Sequence, residues 1–131
     1  MAANGTHRLS SAWKVWVTVV LGPVFLSGPA LAELKTSGQG KDMKLVAEQF
    51  SADDQGRMKI FEARCGKCHN LDRPIVALQT GKTPISGGAF DDEGVKAYVT
   101  KMMRKPNSGI EKDDAKEIII FLRAARALAG G

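Results

Sequence analysis

Cysteine is scarce in this chain of 131 residues, and its two cysteines, Cys65 and Cys68, lie close together. A small fold held by several disulfides is therefore excluded, and so is a zinc or iron–sulfur site with four cysteines. Both tryptophans lie in the first 32 residues, and only His69 remains of the histidines after that point. With 25% charged and 44% hydrophobic residues, the composition fits one globular domain and argues against a disordered chain or a multi-pass membrane protein.

The first 32 residues differ from the rest because they contain no acidic side chain. Arg8 and Lys14 precede an apolar run over residues 15–26, and small residues follow up to Ala32. This order predicts a secretory signal peptide (residues 1–32) that is cleaved after Ala32, and therefore export to the periplasm. The alternative is a retained membrane anchor, but the run contains Pro23 and is shorter than the roughly 20 residues of a membrane-spanning helix.

The remaining chain divides into a polar leader and a compact domain. Residues 33–49 are polar and rich in glycine, which predicts a flexible leader before a domain over residues 50–131. Residues 65–88 are rich in glycine, proline and threonine and predict a long loop. No run of alternating apolar and polar residues indicates a sheet. The expected fold class is all-α with long loops.

Three helices are predicted from start signals and apolar spacing. Ser51 is a candidate N-cap of the first helix, and Gly56 inside that helix suggests close approach by another helix. Acidic residues at 91–93 begin a second helix with an apolar stripe at Val95, Tyr98, Val99 and Met102. Ser108 and Glu111 form a possible capping box for a third helix, which ends at the C-terminal glycines.

The residues that carry chemistry are Cys65-Gly66-Lys67-Cys68-His69, which match Cys-x-x-Cys-His, the attachment sequence of c-type haem. At this spacing the two thiols can each add to one vinyl group of the same porphyrin. The adjacent imidazole is then placed as an iron ligand. Bacterial haem attachment requires export, and the predicted signal peptide meets that condition independently.

The cysteine pair has three other interpretations. A thioredoxin-like redox pair belongs in a βαβ context, which the sequence does not indicate. A zinc site needs two more ligands, and no further cysteine or histidine follows residue 69. A disulfide between Cys65 and Cys68 would leave Phe61 and the stripe that ends at Met102 without a particular role. Covalent haem is the preferred interpretation.

The sixth iron ligand is approached by elimination. A second histidine is not present after the signal peptide, so methionine is the expected ligand. Met43 lies in the leader, and Met58 lies on the helix that leads to the cysteines. Met102 and Met103 remain, and one of them is expected to be a packing residue. Met102 is favoured because it continues the apolar stripe and lies just before the helix break at Pro106.

On these residues the chain resembles a small class I (mitochondrial-type) cytochrome c of the bacterial periplasm, over about residues 50–129. The matching features are the haem motif, Gly56 with Phe61 on the first helix, Met102 with the Lys105–Ile110 segment after it, and a terminal helix with Phe121 and Leu122. The resemblance implies three or more helices wrapped around one covalently bound haem, with the N- and C-terminal helices crossing. The segment between His69 and Met102 is shorter than in many members of the family.

The resemblance also implies a function, which is reversible one-electron transfer by an iron with His69 and Met102 as axial ligands. The expected protein is an electron carrier and not an enzyme. The alternatives are a haem-bearing subunit of a membrane respiratory or photosynthetic oxidoreductase, and a gas-binding or sensor protein with an open iron site. The carbonyl that fixes the tautomer of His69 is left open between Pro74 and Pro84. The candidates for the apolar haem wall are Leu71, Phe61, Phe90, Val95 and Val99.

Partners are expected to be redox proteins, with membrane contact only if the N-terminal segment is retained. Six basic residues are candidates for a ring that meets an acidic docking surface: Lys67, Lys82, Lys96, Lys101, Arg104 and Lys105. An ordinary solvated surface explains them equally well, because the net charge of +5 falls by two when Arg8 and Lys14 are removed. No motif indicates binding to nucleic acid.

Overall fold

The computed structural model describes residues 33–131, so the predicted signal peptide lies outside the described residues. Two short antiparallel strands come first, β1 (Thr36–Ser37) and β2 (Lys44–Leu45), with Thr36 opposite Leu45. Four helices follow: α1 (Ala52–Cys65), α2 (Asp72–Thr80), α3 (Asp92–Met103) and α4 (Lys112–Leu128). The described chain is thus mostly helical. None of its helices is long and apolar enough to cross a membrane.

The core is centred on the contact between α1 and α4, the first and last helices. Phe61 and Phe121 are fully buried, and their ring centroids lie 5.4 Å apart. Phe50 completes an aromatic cluster, with its ring 5.1 Å from that of Phe121. Arg57 of α1 also forms an ion pair of 2.9 Å with Glu117 of α4. The first and last helices therefore pack directly on each other, and α3 packs on a neighbouring part of α4.

The predicted starts of the first two helices are confirmed at α1 and α3, whereas the predicted start of the last is wrong. The Ser51 hydroxyl accepts a hydrogen bond from the Asp54 backbone N–H at the start of α1. Asp91 caps α3 in the same way. At α4 the N-cap is Glu111, whose capping box is completed by Asp114. Ser108 lies before the helix and is buried, and its hydroxyl donates to the Met103 carbonyl at the end of α3.

The interpretation of residues 65–88 as a continuous loop is wrong, because α2 forms inside it. Pro74 lies in the first turn of α2, where the missing N–H of proline is not needed for an intrahelical hydrogen bond. Ile75 and Leu78 are buried one helical turn apart and attach α2 to the core. Gly81 ends the helix in the left-handed conformation, with φ of 68°.

Residues 33–49 are not a leader separate from the compact domain. Leu34 and Leu45 are buried in the core. The side chain of Gln49 accepts from the backbone N–H of Lys35 and donates to the Lys35 carbonyl, both at 2.8 Å. A polar composition does not show this arrangement, because only a few apolar side chains attach the segment to the core, and Met43 and Ala47 also pack against it.

The expectation that Gly56 marks a close helix contact is also wrong. A Cβ at Gly56 would meet no other atom within 4 Å. Gly94 of α3 is different, because its Cβ would collide with the backbone carbonyl of Ala89. The two glycines therefore serve different purposes, and only Gly94 is required by packing.

Replacing Gly56 by Ala is expected to raise the free energy of unfolding by about 0.5–1 kcal/mol, because alanine loses less backbone entropy in an open helix position. The same substitution at Gly94 is expected to lower it by about 1–3 kcal/mol, because the backbone must shift to admit the methyl group. Urea unfolding of the two variants measures both changes. Destabilisation by Gly56→Ala would show that the site is not open.

Candidate functional site

A cavity of about 680 Å³ lies where the segment after α1, the loop between α2 and α3, the end of α3 and the segment before α4 meet. Its volume is within the range of about 300–1,000 Å³ that is typical of small-molecule and cofactor sites. Cys65, Cys68 and His69 line it from one part of the chain, and Met102 lines it from another. The structure therefore brings the predicted thioether and axial residues to one space. Met103 is not among the residues that line it.

The two cysteines differ in environment. Cys65 is the last residue of α1 and is buried, whereas Cys68 is exposed, and both are free thiols. Burial, and to a lesser extent the neighbouring Cys68, raises the pKa of the Cys65 thiol to about 12. Cys65 therefore stays protonated at neutral pH. This separates it from the reactive Cys-x-x-Cys pairs, whose catalytic thiol has a lowered pKa.

The His69 ring is held by its neighbour in the chain. Its Nδ1 atom lies 2.8 Å from the backbone carbonyl oxygen of Asn70. Because a carbonyl only accepts, Nδ1 must carry the proton, and Nε2 keeps its lone pair for a metal. The candidates Pro74 and Pro84 do not fill this role, since the hydrogen bond is made to Asn70.

Met102 lies in the last turn of α3, and the segment after it is fixed by hydrogen bonds. The backbone N–H of Lys105 donates to the Met102 carbonyl at 3.1 Å. The buried Ser108 hydroxyl donates to the Met103 carbonyl at 2.9 Å and accepts from the Ile110 N–H at 3.3 Å. These contacts close the turn directly behind the methionine and hold its backbone in place.

The haem-motif segment comes close to the segment after Met102 where Lys67 lies beside Gly109. Gly109 has a positive φ of 62°, which favours glycine, and a Cβ there would lie 3.1 Å from Nζ of Lys67. Lys67 stands between the two cysteines of the motif. Gly109 is thus favoured by its backbone conformation, and the Lys67 ammonium lies next to it.

The predicted apolar wall does not line this cavity. Phe61, Phe90, Val95 and Val99 are buried in the core, and Leu71 packs against it. The residues that supply apolar surface to the cavity are instead Pro84, Ile85, Ala97, Tyr98, Pro106 and Ile110. On α3 the core stripe and the cavity face are neighbours. A signal for the cavity face was available in the helical spacing of residues 97, 98, 101, 102 and 105.

Tyr98 is the most polar group on this apolar wall. Its ring packs edge-on against Phe90, with centroids 5.5 Å apart. Burial raises the pKa of its hydroxyl to about 12, so the group stays neutral at physiological pH. It can therefore donate a hydrogen bond into the cavity without bringing a charge.

The charge on the cavity has one sign. Four cationic side chains line it, namely those of Arg64, Arg73, Lys101 and Lys105, and within residues 33–131 no carboxylate does so. Of the six basic residues predicted to ring the site, Lys101 and Lys105 are thus found at the cavity. These two also border a groove on the outer face of α3, together with Lys96 and Arg104.

Comparison with known proteins adds no relative. No protein-family model matches the chain, and no curated protein and no solved structure matches it significantly. Among residues 33–131, no three histidine, cysteine or acidic side chains form a metal-binding cluster. The site is therefore described by its own residues: a cysteine pair, an oriented imidazole and a thioether around one apolar cavity with a cationic lining.

Proposed function

We propose that this chain is a periplasmic one-electron carrier with one c-type haem, attached to Cys65 and Cys68 and ligated by His69 and Met102. The observation that carries the proposal is that Met102 lines the same cavity as the three motif residues, although it is distant from them in the sequence. The attachment motif by itself does not require Met102 to be there. A small class I cytochrome c fold around the haem is part of the proposal.

The residues present fit such a group. Mostly apolar walls and a volume of about 680 Å³ suit a large flat cofactor, and the cationic lining suits its two carboxylates. When bound, haem supplies an iron that alternates between the ferrous and ferric states. His69 is oriented for ligation because its Nδ1 proton is held by Asn70. A thioether from Met102 and apolar walls around the iron would both favour the ferrous state and raise the reduction potential.

The proposed partners are redox proteins with an acidic docking surface. Lys96 and Arg104 are exposed cations that border a groove beside the cavity but do not line the cavity itself. Charges in such a place mainly increase the rate of encounter with an oppositely charged protein, and their effect falls as salt is added. They are proposed to guide an acidic partner to the edge of the haem site.

Two other assignments remain as outcomes of experiment. A haem-bearing subunit of a membrane oxidoreductase would keep its N-terminal segment, and the purified protein would then begin before residue 33 and fractionate with membranes. An open-site gas sensor would bind CO rapidly without any change in Met102. The presence of Met102 on the cavity wall favours the carrier.

The proposal is tested by expressing the full chain in cells that attach haem to exported proteins. We expect the mature protein to gain the mass of one haem and to keep its colour in acid–acetone, because thioether bonds survive this extraction. Replacing both Cys65 and Cys68 by Ala should abolish the covalent colour. Lys67→Ala lies between the cysteines, contributes no sulfur, and serves as the matched control that keeps the haem. If acid–acetone extracted the haem from the wild-type polypeptide, the proposal would be contradicted.

A further inference from the structure

The cationic side chains that line the cavity differ in whether a carboxylate lies beside them. Arg64 forms an ion pair of 2.9 Å with Asp114 of α4, so a carboxylate already balances its charge. For Arg73, Lys101 and Lys105, the described residues provide no carboxylate within ion-pair distance. Three exposed cations outside any ion pair of the described residues therefore border one apolar space.

These three cations come from two sides of the same cavity. Lys101 and Lys105 are four residues apart at the C-terminal end of α3, which places them on one face. Arg73 lies in the first turn of α2 and lines the cavity from a different part of the chain than these two lysines. The hydroxyl of Tyr98 is a neutral donor in the same region.

Cations on the wall of an apolar cavity are free to form charge-assisted hydrogen bonds with an anionic ligand when they are outside any ion pair. The ligand must also carry a large apolar surface to cover the walls. Carboxylate groups are suited to this lining, because guanidinium and ammonium groups form charge-assisted hydrogen bonds with them.

We infer that Arg73, Lys101 and Lys105 form a carboxylate-binding rim that holds the propionate groups of the haem. The inference rests on the proposed function, and it assigns residues that neither the attachment motif nor the axial ligands identify. Lys96 is excluded from the rim because it borders only the outer groove. The rim gives the bound group a fixed acidic edge between α2 and the end of α3.

The rim is tested on the haem-loaded protein with a water-soluble carbodiimide, which joins carboxylates to nearby amines. In the wild-type protein we expect the haem-carrying peptide to become linked to Lys101 or Lys105 and not to Lys96 or Lys82. A small amine added with the carbodiimide amidates propionates that are not held by the protein. In the double variant Lys101→Met/Lys105→Met and in Arg73→Gln, we expect this amidation to be at least about fivefold faster than in the wild-type protein, because the cations that hold the propionates are lost. The mass of the haem peptide reports each modification.

The double variant Lys101→Arg/Lys105→Arg keeps the positive charges but has no amine that the carbodiimide can couple. It should therefore keep the slow amidation of the propionates and lose the cross-links. Lys96→Met on the same helix should match the wild-type protein in amidation rate. Cross-links to Lys96 or Lys82, or equal amidation rates in all variants, would overturn the rim. If the haem were still covalently bound, the proposed function would be unaffected by that result. A wild-type protein without covalent haem would overturn both.

Discussion

Replacing Met102 by Leu is expected to change the haem-loaded protein from a low-spin form that scarcely binds CO to a high-spin form that binds CO readily. Met102 is the methionine on the cavity wall, and leucine offers the same bulk without a sulfur lone pair. Loss of the thioether also removes a ligand that favours ferrous iron. The midpoint potential should fall by a substantial part of the roughly 0.8 V range that axial ligands control. Absorption spectra with and without CO, and a redox titration, measure these changes.

Met103→Leu is the matched control, because Met103 is adjacent in sequence and similarly half-buried but does not line the cavity. Its spectrum and potential should remain those of the wild-type protein. If the effects were exchanged between the two variants, Met103 would be the ligand. If the Met102→Leu/Met103→Leu double variant matched an already high-spin wild-type protein, the open-site alternative would replace the electron carrier.

Replacing Phe121 by Ala is expected to lower the free energy of unfolding by about 3–5 kcal/mol. Phe121 is fully buried on α4, and its ring contacts those of Phe50 and Phe61 at centroid distances of 5.1 and 5.4 Å. Truncation removes the central ring of this cluster and leaves a cavity between the first and last helices. Such a loss is a large fraction of the about 5–15 kcal/mol by which domains are stable. Denaturant unfolding of the haem-loaded protein measures it.

Ile120→Ala provides the control for this loss of stability, since Ile120 is the preceding residue on the same helix and is 37% exposed. The expected change is about 1 kcal/mol or less. Equal destabilisation at positions 120 and 121 would mean that the aromatic cluster is not the centre of the core.

Three of the four helices are predictable from the sequence because each signal is local. Ser51 and Asp91 accept from backbone N–H groups three residues later, as their positions before acidic first turns indicate. The second helix of the structure, α2, escapes such reasoning because Pro74 is taken as a loop marker, although it lies where a helix tolerates it. The strands β1 and β2 have two residues each, which is too short to show an alternating pattern.

The sequence predicts the residues of the candidate site that would bind the haem, but not the apolar residues that line the cavity. Cys65, Cys68 and His69 follow from the motif, and elimination favours Met102, which the structure places beside them. The predicted wall is wrong because α3 has a core stripe and an adjoining cavity face that includes Lys101, and spacing cannot show which of them a haem would meet. Val95 occupies the core stripe, whereas Tyr98 belongs to the cavity face. Tertiary contacts with α4 decide this, and no local pattern encodes them.

The position of α4 has a consequence for electron exchange. Arg64 of α1 is paired with Asp114 of α4, and Arg126 of α4 is paired with Asp92 of α3, at 2.9 and 3.0 Å. One helix thus forms a frame for both the helix that ends at the cysteines and the helix that ends at the methionine, since it also packs on both through buried residues. In the proposed role, this frame would keep the two axial groups at nearly constant separation in both oxidation states. Little nuclear rearrangement would then accompany each transfer, which is the condition for a low intrinsic barrier.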